Sequence, residues 1–195
     1  MFYFHSLVNS SSLLHKILKK GNITNQNVNN LFPYGNTVDR VVISGENLLK
    51  VFFASIISHK TAEKSNEEHK GANKTKNLKP HFHFQMSGIK VTFDNNPNHP
   101  QVESIKTACK IQKECSPIEI KKWCQLNVTK NYTVALSSDF IGKNGTGVGI
   151  FDGLISEREV GDLDRVVFTN YVKECTPMNQ NLSERIISHN GKTIR

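Results

Sequence analysis

Four cysteines, seven Asn-x-Ser/Thr sequons and one His-x-His pair are the residues of this 195-residue chain whose types and spacing carry chemistry. An even cysteine count suits disulfides formed in an oxidising compartment. Cys109 and Cys115, with five residues between them, are the preferred bridge, which leaves Cys124 and Cys175 as the second pair by elimination. No CxxC spacing is present, so a zinc site is not expected. His81 and His83 place two imidazoles on one face of an extended segment, but no third ligand stands nearby, and solvated or structural histidines are the expectation. Asn144-Gly145-Thr146-Gly147-Val148-Gly149 has the glycines of a phosphate loop but neither its Lys-Ser/Thr nor a GxGxxG spacing. No Ser-His-Asp or Cys-His set is recognisable. The residues thus offer crosslinks and sugar acceptors, and no catalytic or metal set.

The sequons sit at Asn9, Asn22, Asn73, Asn127, Asn131, Asn144 and Asn181, where 21 Asn and 28 Ser or Thr would give about three by chance. With the cysteines, this excess points to an extracellular, secreted glycoprotein. Met1–Val8 is apolar but too short for the core of a signal peptide and lacks a basic start. A chain missing its N-terminal part is therefore expected. The C-terminus carries no hydrophobic tail for a lipid anchor. Net charge is +8 and the pI about 9.3, yet the lysines are scattered and no basic helix has interleaved aromatics, so the expectation is a solvated basic surface and no nucleic-acid partner. No apolar run approaches the roughly 18 residues of a membrane span.

The elements that must position these groups read as α+β: a mixed β-sheet with packed amphipathic helices in a single domain, residues 1–195. Val38–Ser44 is rich in β-branched residues and predicts a strand. Gly45 then introduces a helix over Glu46–Ser58, with positions 48, 49, 52, 53, 56 and 57 on its apolar face. Residues 59–80 are dense in Lys, Glu and Asn and form an exposed polar insertion. Phe82–Met86 and Ile89–Phe93 alternate with period two around Ser87-Gly88, and Asp94–Pro100 is turn chemistry. Val102–Ala108 and Tyr132–Ser137 are further strands, Ile150–Ile155 is ambiguous, and Asp164–Glu174 predicts a second amphipathic helix with Val166, Val167, Tyr171 and Phe168 on its packing face.

Four segments in order carry a family resemblance: Leu31–Asp39 (LFPYGNTVD), Phe84–Asp94 (FQMSGIKVTFD), Phe140–Gly147 (FIGKNGTG) and Val167–Val172 (VFTNYV). Together they resemble the C-terminal domain of the 5'-nucleotidase/apyrase family, over most of the chain. The resemblance implies a nucleoside-binding domain that swings its ligand toward two divalent metals held by a separate N-terminal metallophosphoesterase domain. No segment here carries those metal ligands, so no cofactor is expected in this chain and the chain alone is expected to be inactive. The implied ligand is a nucleoside or nucleotide, with a purine stacked between two aromatic rings.

Residue by residue, the resemblance puts Tyr34 at the first stacking ring, Asn36 at the polar residue after it, and Phe140 at the second ring. Thr146 falls where the family has its ribose-binding Asp, and keeps a hydroxyl without the carboxylate. Asn9 matches the Asn that opens a glycine-rich segment, whose phosphate-contacting Arg is here Leu14, with His15 and Lys16 the nearest cations. Cys109 and Cys115 match a short-loop disulfide of animal members. Read from the residues alone, Tyr34 and Phe140 are equally consistent with core packing, and Thr146 with a surface hydroxyl. Asp139, next to Phe140, could stand in for the lost carboxylate, but neighbouring strand residues face opposite ways, which argues against it. The resemblance implies part of a secreted hydrolase that dephosphorylates extracellular nucleotides. The alternative is a catalytically inactive secreted binding module that keeps only the fold.

Overall fold

A computed structural model describes residues 5–9, 21–55, 84–94, 101–111, 120–141, 150–176 and 186–188. The polar insertion over 59–80, His81 and His83, the Asp94–Pro100 turn beyond Asp94, and Thr146 fall outside those residues. The fold is mixed α+β, as expected.

Among the described residues, nine strands form two sheets. Strands β1 (His5–Asn9), β2 (Val38–Ser44), β3 (Phe84–Ser87), β7 (Asn131–Ser137) and β8 (Ile155–Glu159) make a five-stranded sheet in the order β3-β1-β7-β2-β8. Strands β4 (Ile89–Asp94), β5 (Gln101–Ile111), β6 (Ile120–Gln125) and β9 (Ile186–Ser188) make a four-stranded one in the order β6-β5-β4-β9. Each sheet has one parallel pairing, β1 with β7 and β4 with β9. The strands on either side of Gly88 do not pair with each other: the chain leaves one sheet at Ser87 and enters the other at Ile89. The apolar N-terminal stretch, which the sequence leaves without a role, supplies a central strand whose Leu7 is completely buried.

Strand β2 runs over the predicted residues and alternates buried and half-buried positions, with Asp39, Val41 and Ile43 facing inward. A helix over 45–55, α2, follows directly. A glycine is needed at its start because a Cβ on Gly45 would run into the Asn127 carbonyl. The buried stripe of α2 is Leu48, Val51, Phe52 and Ser55, while Leu49 and Phe53 stand exposed. The predicted apolar face is therefore rotated: four positions at i, i+3, i+4 and i+7 face the sheet whatever their chemistry, and Ser55 takes an inward place that pattern reading gives to a hydrophobe. Around α2 the core closes on Phe52, Phe84, Phe140 and Phe151, all within 2% of full burial. Phe84 lies 5.0 Å from Phe140 and 5.6 Å from Phe52, centroid to centroid.

Two short helices pack together at one end of the five-stranded sheet. Helix α1 (Asn25–Leu31) starts at Thr24, which exchanges hydrogen bonds with Asn27 in a capping box. Helix α3 (Asp164–Glu174) has the predicted bounds, but none of its residues is buried, and Val166 and Val167 are exposed. Its Phe168 ring meets Phe32 of the segment after α1, 5.2 Å between centroids.

The disulfide expectation is corrected. Cys109 bonds to Cys124, with Cα atoms 5.8 Å apart. Cys109 sits at a bulge of β5, between Ala108 opposite Trp123 and Lys110 opposite Lys122, where the irregular ladder brings its side chain to the neighbouring strand. With Cys124 taken by Cys109, the predicted Cys124–Cys175 bridge is not formed either, and Cys175 is disulfide-bonded elsewhere.

Candidate functional site

The turn that carries Tyr34 is built between three elements. Helix α1 ends at Phe32, whose ring is held by Phe168, and Pro33 cannot continue the helix. Gly35 then turns the chain at φ +66°, with open space around it, so the glycine is there for its backbone. The Asn36 carbonyl accepts from the Asp164 N–H at 2.8 Å, at the start of α3. Thr37 donates its N–H to Ser138 Oγ and accepts from the Ser138 N–H, each at 2.9 Å. The turn is thereby tied to α3 on one side and on the other to the 3-10 turn Ser138–Phe140 that follows β7.

Within this frame Tyr34 points outward and is 63% exposed. Asn36 is half-buried. Phe140 lies two residues beyond Ser138, so the two segments meet, but the Phe140 ring is 0% exposed and packed against Phe84 and Phe151. In this structure the two rings expected to form a clamp do not share a solvent-open face. With its centroid 5.0 Å from that of Phe84 and 5.6 Å from that of Phe151, the Phe140 ring packs in the core of this structure. Asn9 is the last residue of β1, opposite Phe84 on β3. Asp139 is half-buried in the 3-10 turn.

Electrostatically the turn lies beside Asp164, where burial raises the carboxyl pKa and the Arg165 backbone N–H and charge partly restore it. Arg165 is exposed and directly follows the residue bonded to Asn36. It is the cation that sequence reasoning missed at this end of the sheet, and its proximity appears only once α3 docks on the turn. A cleft of 430 Å³ between α1 and α3 is lined by Arg165, Lys173, Asn25 and Asn29 among others. Among the described residues no three His, Cys, Asp or Glu side chains gather where they could hold a metal ion.

Residues 5–153 match the family model for the 5'-nucleotidase C-terminal domain. The chain belongs to this family. The matched span of this 5'-nucleotidase C-terminal domain takes in Asn9, Tyr34, Asn36, Phe140 and Thr146, and stops short of α3. Similar curated proteins are the snake venom 5'-nucleotidase of Naja atra, 26% identical over 95% of this chain and 31% of its own length, and an apyrase of Tabanus yao, 28% identical over 82% and 25%. The chain thus spans between a quarter and just over a third of the length of the curated relatives it matches. Similar solved structures are the 5'-nucleotidase precursor of Thermus thermophilus, with a TM-score of 0.68 at 20% identity over 96% of this chain and 32% of its own, and the NAD nucleotidase of Haemophilus influenzae, with 0.68 at 16% over 95% and 30%. At these identities the likeness establishes the fold. No helix among the described residues is long and apolar enough to cross a membrane.

Proposed function

We propose that this domain binds the nucleoside part of a nucleotide at the Tyr34 turn, as part of a secreted hydrolase that removes phosphate from extracellular nucleotides. One observation carries the reading: within the matched family span, Tyr34 is a large aromatic side chain held out into solvent on a turn fixed at both ends. A purine face laid on such a ring gains roughly 1–3 kcal/mol. Asn36 and, from the resemblance, Thr146 and Asn9 supply polar contacts to the sugar and phosphate, and Arg165 adds positive charge. The two divalent metals belong to a separate domain, so this chain alone binds without hydrolysing. Relatives from venom and an apyrase support the extracellular setting.

The buried Phe140 and the Leu14 that replaces a family Arg favour a second reading, a secreted binding module without catalysis. Calorimetric titration of the full chain with adenosine and AMP tests binding. The expected result is measurable heat with both ligands and a loss of about 5-fold to 100-fold in affinity for Tyr34→Ala, the equivalent of one stacked base. No heat with either ligand would overturn both binding readings. Restored AMP hydrolysis on adding a metallophosphoesterase domain separates the first reading from the second.

A further inference from the structure

We propose that Asn127 is an N-glycosylation site, with its sugar projecting from the end of the five-stranded sheet opposite the Tyr34 turn. This rests on the secretory setting of the preceding reading. Three sequons have described side chains, and they sit in different environments. In Asn22-Ile23-Thr24 the threonine hydroxyl is committed to capping α1, bonded to Asn27. Asn131-Tyr132-Thr133 runs along β7 in a continuous ladder, with Asn131 opposite Ser44 and Thr133 opposite Val42.

Asn127-Val128-Thr129 instead forms a bent, exposed turn between β6 and β7. Asn127 Oδ1 accepts from the Thr129 N–H at 3.0 Å and from the Thr129 hydroxyl at 2.8 Å. Because both partners donate, the accepting atom is the amide oxygen, and Nδ2 is the atom left facing solvent. The backbone beneath is fixed: Gly45 donates to the Lys130 carbonyl at 2.8 Å and Glu46 to the Val128 carbonyl at 3.0 Å, while the Asn127 N–H donates to the Tyr132 hydroxyl at 2.8 Å. A sugar on Nδ2 therefore breaks no hydrogen bond of the fold. Transfer takes place on the emerging chain: Nδ2 attacks the anomeric carbon of a lipid-diphosphate-linked oligosaccharide, the C–N bond forms as the carbon–oxygen bond to diphosphate breaks, and one amide proton is lost. The fold then decides whether the product is tolerated.

Location matters for the ligand. The Asn127 turn is bonded to the end of β2, and the Tyr34 turn to its beginning, seven residues or about 20 Å away. A sugar at Asn127 leaves the candidate ligand face open.

The test is glycopeptide mapping by mass spectrometry of the full chain, expressed with a secretion leader in eukaryotic cells and taken from lumen and medium together. Enzymatic sugar release, which converts the bearing Asn to Asp, is expected to mark Asn127. Asn127→Asp, which keeps an acceptor for both Thr129 bonds, and Thr129→Ala should each lose one sugar chain on a gel, and Thr129→Ser should retain it. Recovery of Asn127 unmodified, whether Asn22 or Asn131 carries sugar or none does, overturns the proposal. Failure of AMP binding would leave this result untouched.

Discussion

The Arg158 guanidinium meets the Asp39 carboxylate from across the β2–β8 pairing, Nε and Nη2 both reaching Oδ2, at 2.8 and 2.7 Å. Asp39 is completely buried, on the face of β2 that otherwise carries Val41 and Ile43. Its other oxygen accepts from the Thr37 hydroxyl at 2.6 Å and the Gly161 N–H at 3.3 Å. A buried carboxylate is tolerated only with such a set of donors, and here they join β2, β8 and the segment leading into α3.

Replacing Arg158 with Met leaves that carboxylate buried and without its cation. The expected loss is about 3 kcal/mol, the lower end for a broken buried pair because the Arg side chain is partly exposed. Asp39→Asn should cost less, since Thr37 and Gly161 keep an oxygen to donate to. Urea unfolding of both variants checks the order, and a smaller loss for Arg158→Met than for Asp39→Asn would contradict it.

How much of this was readable beforehand follows from the range of each interaction. Strand β2 and helix α3 came out with their observed bounds because β-branching, a glycine stop and a flanking Thr-Pro are local signals. Asp39 shows in VDRVVIS as a charge on an inward position, but nothing in the sequence names Arg158, 119 residues away. Phe140 shows the same limit. Family position marks it as a ring near the ligand, and only the packing of Phe84 and Phe151 around it shows that it is enclosed here. The cysteine pairing failed for a related reason: closeness in sequence favoured Cys115, whereas strand register brought Cys124 to Cys109.

The Cys109–Cys124 crosslink predicts a specific peptide map. Non-reducing digestion is expected to yield one fragment joining the two cysteines, and Cys109→Ser with Cys124→Ser together should lower stability by about 3 kcal/mol, the loop-closure value for a separation of 15 residues. Cys175 should stay oxidised in that double variant. A fragment joining Cys109 to Cys115 would contradict the strand register.

His5 predicts a pH dependence. Burial pushes its imidazole below the ordinary value of 6.5, and a hydrogen bond to the Thr133 backbone only partly opposes this. The ring also meets Tyr132 edge-on at 5.8 Å. The folded state thus holds His5 neutral while the unfolded chain takes up a proton near pH 6.5. Stability is complete above that pH, falls as pH drops toward the lower folded pKa, and levels off beneath it. Comparing urea midpoints at about pH 7.5 and about pH 5.5 for the native chain and for His5→Gln is expected to show a smaller drop in the variant. An equal drop would place the acid sensitivity elsewhere.

Tyr34 and Phe140 should separate cleanly into ligand contact and core. Tyr34→Ala removes a side chain that is 63% exposed and ends a turn held by backbone bonds from Asn36 and Thr37, so its unfolding midpoint should stay within about 0.5 kcal/mol of the native chain. Phe140→Ala empties a site enclosed by Phe84 and Phe151 and should cost about 3–5 kcal/mol. Phe140→Leu keeps most of the volume, and should fold and bind adenosine almost as the native chain does, because the ring is enclosed in the core. Were Phe140→Leu to fold normally yet lose binding as Tyr34→Ala does, the ring must leave the core when ligand arrives, and the two-ring clamp would return as a conformational change driven by the stacking it gains.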